Sequence, residues 1–83
     1  MATIKENLKK YLNSIPEDLR KKASLCIDDG DYEGLDYIIL TAMNDSRREK
    51  NYYRYNELSV MKSIVDAALL NEELNIEDTD GTE

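Results

Sequence analysis

The chain has 83 residues, with 18 acidic against 11 basic, no histidine and a single cysteine, for a net charge of -7. That length makes one domain with a small core, expected over residues 1–74. Cys26 alone makes no internal disulfide, and one thiol without histidine builds no zinc site. The excess of acid argues against a nucleic-acid surface spread over the whole molecule.

A lone cysteine fits a reducing compartment, so a cytoplasmic location is expected. The N-terminal stretch has lysines but no continuous apolar run, so it does not read as a signal peptide. The apolar run at 35–43 is far too short to cross a bilayer. Charge is blocked along the chain: +3 over 1–22, -6 over 23–45, +3 over 46–62 and -7 over 63–83. Either neighbouring helices of opposite sign attract within the fold, or a polarised surface meets a charged partner.

In chain order the periodicity predicts an all-α array of about four helices. Three S/T-x-x-E patterns, Thr3 with Glu6, Ser14 with Glu17 and Ser46 with Glu49, read as capping boxes. A first helix is expected over 4–13, where Ile4, Leu8, Tyr11 and Leu12 share a face. A second starts after Ser14 with Pro16 in its first turn, and Ile15, Leu19, Ala23, Cys26 and Ile27 form its apolar stripe. Gly30 closes it and Asp31 caps a third helix over 32–44. The run 35–43 is apolar nearly all round, which predicts a buried central helix. The fourth helix runs either from 47 to 74, as the Ser46 box implies, or from a fresh start near Asn56; the continuous reading is preferred. Leu58, Met61, Val65, Ala68 and Leu69 share a face there, with Ile64 widening it, and that width predicts a homodimer. The acidic tail, 75–83, has the composition of a disordered segment.

Two stretches invite a chemical reading. Asp29-x-Asp31-x-Glu33-Gly34 resembles the first half of an EF-hand loop. Its twelfth position, where calcium needs a bidentate glutamate, is Leu40, and its eighth, which should be apolar, is Asp36. No metal is therefore expected, and the acids read as a solvated turn. With no histidine and no glycine-rich phosphate loop, the chain offers no catalytic constellation and implies no cofactor; Cys26 falls on an apolar stripe and reads as a small core residue.

The second stretch, 46–55, interleaves Arg47, Arg48, Lys50 and Arg54 with Tyr52, Tyr53 and Tyr55. Arginine and tyrosine are enriched at protein–protein hot spots, and both also serve unpaired nucleic-acid strands, through phosphates and base stacking. The plainer alternative has one or two tyrosines in the core and the arginines paired with the acidic hinge at Asp28, Asp29, Asp31 and Glu33. Arg47, Arg48, Tyr52, Tyr53 and Arg54 are taken as the partner-binding residues. The expected role is a small non-enzymatic interaction protein that binds, and inhibits or regulates, a macromolecular target. By analogy of composition and fold, phage inhibitors and antitoxins are chains of this type. The alternative is a small RNA- or DNA-binding protein using 46–55.

Overall fold

Thr3 starts the first helix. Its Oγ1 accepts the Glu6 N–H at 3.1 Å and donates to the Glu6 carboxylate at 3.3 Å, so Thr3 and Glu6 pair at the helix start where their spacing places them, through the hydroxyl rather than the Thr3 backbone N–H. The computed structural model describes residues 3–82 along the backbone and residues 3–71 with their side chains. It contains α1 (Ile4–Lys9), a 3-10 turn (Leu12–Ser14), α2 (Glu17–Asp29), α3 (Tyr32–Arg48) and α4 (Tyr52–Thr82), with no strand among the described residues. The tail expected to be disordered over 75–83 lies outside the fully described residues.

The first helix is shorter than expected: it ends at Lys9, and the chain continues through a 3-10 turn over Leu12–Ser14. Pro16 drives the residue before it out of the helical region, and Ile15 is extended at φ -86, ψ 136. Arg20 then donates to the carbonyls of Leu12 and Ile15, each at 3.1 Å, and of Asn13 at 3.4 Å. The Ser14–Glu17 box does not form: Pro16 holds the cap position of α2, without a side-chain cap.

α2 ends in a Schellman turn. Gly30 takes the left-handed conformation at φ 72, the Asp31 N–H reaches the Cys26 carbonyl at 2.8 Å, and the Gly30 N–H reaches that of Ile27 at 3.2 Å. Asp31 caps α3, accepting the Gly34 N–H at 3.1 Å.

α3 runs past residue 44 to Arg48, so the Ser46–Glu49 box is not used either. Ser46 lies one turn beyond Ala42 on the core face and is 1% exposed, so unwinding there would open the core. Nor is 35–43 buried all round. Leu35, Ile38, Ile39 and Ala42 are buried, whereas Tyr37 is 74% and Leu40 is 41% exposed. α2 and α4 cover two flanks of α3 and leave the third to solvent.

One core joins all four helices: Leu8 from α1, Ile15 before α2, Ala23 and Ile27 from α2, the four α3 residues, and Leu58, Met61 and Val65 from α4. Each large aliphatic buried there contributes about 1.5–3 kcal/mol. The α4 stripe from which pairing of two copies is expected is used inside one chain, since Leu58, Met61, Val65 and Ala68 are all buried. The charge blocks attract as one of the two readings has it. Lys9 pairs with Asp28 at 2.8 Å, Lys5 donates to the Asp28 carbonyl at 3.0 Å, and Lys62 of α4 bridges Asp36 of α3 at 3.0 Å and Asp66 at 3.1 Å.

Candidate functional site

The turn between α3 and α4 gathers the residues singled out at 46–55. It is a second Schellman turn: the Asn51 N–H reaches the Ser46 carbonyl at 2.8 Å and the Lys50 N–H reaches that of Arg47 at 3.1 Å. The left-handed position is filled by Lys50 at φ 61, where glycine would be unstrained. Asn51 then caps α4, its Oδ1 accepting the Arg54 N–H at 3.2 Å. The tyrosines are therefore helical, and the fourth helix begins at Tyr52 rather than at 47 or 56.

This geometry puts Arg47, from the last turn of α3, beside Tyr52 and Tyr55, from the first turn of α4. Together they line a half-open cleft of about 220 Å³. Tyr52 is 61% exposed and Tyr55 half-buried. Arg48, Lys50 and Tyr53 are exposed on the same end of the molecule, Tyr53 at 78% and outside the cleft lining. Arg54 behaves differently. It is half-buried and lies four residues before Leu58 and seven before Met61, on the core face of α4. Of the five expected residues, then, the structure brings Arg47 and Tyr52 together in a cleft and sets Arg48 and Tyr53 on its surroundings. It turns Arg54 toward the packing and adds Tyr55. The signal for Tyr55 was the three-residue step from Tyr52, which puts both on one helix face once the helix is known to start at Tyr52.

No ion pair among the described residues involves Arg47, Arg48, Lys50 or Arg54. The plainer alternative, in which these arginines pair with the acidic hinge, is not what forms. Asp28 is held by Lys9, and α3, with 17 residues, separates hinge and turn by about 25 Å. What acts on Arg47 and Arg48 locally is the negative pole of α3, in whose last turn they lie.

At the hinge, Asp31 is occupied with capping, and no group of three or more Cys, Asp or Glu among the described residues is arranged to hold a metal ion. Burial pushes the Cys26 thiol pKa up, and the nearby Asp31 and Asp29 carboxylates push it further; a thiol kept protonated is a poor nucleophile. No helix of the described residues is long and apolar enough to cross a membrane. Compared with protein-family models, curated proteins and solved structures, the chain matches none, so the function has to be argued from its own geometry.

Proposed function

We propose that this chain is a non-enzymatic interaction protein that binds a macromolecular target, most simply another protein, through the α3–α4 turn and thereby blocks or regulates it. The observation that carries this reading is the set of cations without carboxylate partners among the described residues, around a cleft flanked by exposed tyrosines. Among the described residues, Lys5, Lys9 and Lys62 are engaged at helix contacts, whereas Arg47, Arg48 and Lys50 enter no ion pair. Arginine and tyrosine at a concave site are what protein hot spots are made of. Lys50 adds support: a residue held at positive φ in a sequence with three glycines puts charge where glycine would be more stable.

Photo-crosslinking from position 53 of the full chain in an extract of the source cell tests this. Capture of a defined partner is expected, lost in Arg47→Glu and kept in Asp29→Lys at the far end. Loss in the Asp29→Lys variant with retention in Arg47→Glu would move the interface to the hinge. If the crosslinked partner is RNA or DNA, the competing reading holds, and binding should then fall steeply with salt, by roughly one unit of log–log slope per phosphate contact.

A further inference from the structure

We infer that the cleft between Arg47, Tyr52 and Tyr55 takes one large apolar side chain of an acidic protein segment, with carboxylates on either side of that anchor meeting Arg48, Lys50 and Arg47. The inference rests on the interface reading proposed for the α3–α4 turn and names the chemistry of the partner.

Size is the first argument. At about 220 Å³ the cleft falls below the roughly 300–1,000 Å³ of sites that enclose small molecules or cofactors, and a single side chain is the unit that fits. Two tyrosine rings and the arginine stem give that side chain an apolar wall.

Charge is the second. The four basic residues of the turn lie between positions 47 and 54, and the only other cation from residue 23 to residue 83 is Lys62, which is taken up between Asp36 and Asp66. A ligand with a few carboxylates close to its anchor stays over the cations. A nucleic-acid strand, with a phosphate on every residue, would run off the turn in either direction onto α3 or α4, where all remaining ionised groups are acidic. Short reach with high local charge therefore favours an acidic peptide over a polyanion.

The third is specificity. Planar guanidinium groups receive carboxylates bidentately, and an anchor in a pocket ringed by such pairs is the arrangement in which a small contact area carries most of the binding energy.

The test uses fluorescence anisotropy with the full chain and a labelled, end-blocked peptide holding one leucine between two pairs of glutamates. Saturable binding is expected. It should weaken about tenfold, near 1.4 kcal/mol, when alanine replaces the leucine of the peptide, and by at least as much in Arg47→Glu. Tyr52→Ala, at an exposed position, is the second variant and should weaken binding several-fold with helical circular dichroism unchanged; it keeps the test decisive if Arg47→Glu unfolds. Equal affinity for the leucine and alanine peptides would show charge attraction without an anchor and overturn the proposal. So would an undiminished affinity in both variants, or an oligouridylate of matched charge that binds more tightly and displaces the peptide. If an Arg47-dependent partner is crosslinked but engages the turn without any acidic segment, the interface reading stands and this inference fails.

Discussion

Among the described residues, Ser46 and Lys50 are placed at a cost to the fold. Thr41 and Ser63 return their hydroxyls to the carbonyls one turn back, at 3.0 and 3.2 Å, whereas the Ser46 hydroxyl is buried without a partner. An unpaired buried hydroxyl costs about 1–3 kcal/mol, and alanine is also the better helix former. Ser46→Ala is therefore expected to raise the urea midpoint, by an equivalent of about 1 kcal/mol or more; an unchanged or lower midpoint would mean that the hydroxyl has a partner. Lys50→Gly is expected to add about 1 kcal/mol by relieving the left-handed strain, read in the same titration, while slightly weakening peptide binding through the lost charge. Ile39 gives the opposite case. It is fully buried, and Ile39→Ala should cost about 2–5 kcal/mol, enough to unfold much of the population of so small a domain.

At the scale of elements, the contact between α3 and α4 is the most extensive in the molecule, and Lys62 is its polar clamp. The hydrogen bond that Lys62 donates to Asp36 raises the Lys62 pKa most; burial opposes the rise and Asp66 adds to it. A lysine raised on folding stabilises fully below its unfolded pKa, and that contribution disappears as pH climbs through the higher folded value. The loss therefore lies on the alkaline side, from about pH 10.4 upward. Comparing urea midpoints of the wild type and Lys62→Gln across that range checks this: the stability gap between them should narrow as pH rises. A gap that stayed constant would show that Lys62 acts through the packing of its stem. The side chain is partly exposed, so the clamp is worth no more than an ordinary half-exposed pair.

The whole molecule is electrically polarised, with carboxylates around the α2–α3 turn and guanidinium groups around the α3–α4 turn. About 25 Å of helix lies between them, against a Debye length of about 8 Å at physiological salt. The two ends should thus act independently under those conditions. Asp29→Lys is expected to change the affinity of the acidic peptide less than about twofold at physiological salt, and clearly to raise it near 10 mM salt, where the screening length reaches about 30 Å. A large effect at physiological salt would place the peptide nearer the hinge. Independence of the ends also means that the carboxylates at the α2–α3 turn add to the net charge without opposing what binds at the α3–α4 turn.

Residues alone determined the helical class, the apolar faces of α2 and α4, the Thr3 cap, the Gly30 ending and the Asp31 cap, because each depends on groups within about one turn of chain. The Arg/Tyr stretch was legible in the same way, as composition. Tertiary structure decided the rest. Ser14 and Ser46 match a capping pattern, yet Pro16 reshapes the first site and burial of Ser46 against the core carries α3 through the second. Tyr37 and Leu40 belong to an apolar run, but only two neighbouring helices are present to cover α3, so its third face stays in water. Arg54 looks like surface and is turned toward the packing, while Tyr55 enters the cleft, because the position of Asn51 as cap sets the phase of α4. Which way a side chain points depends on where its helix begins and what packs against it, and those are properties of the assembled chain rather than of any local pattern.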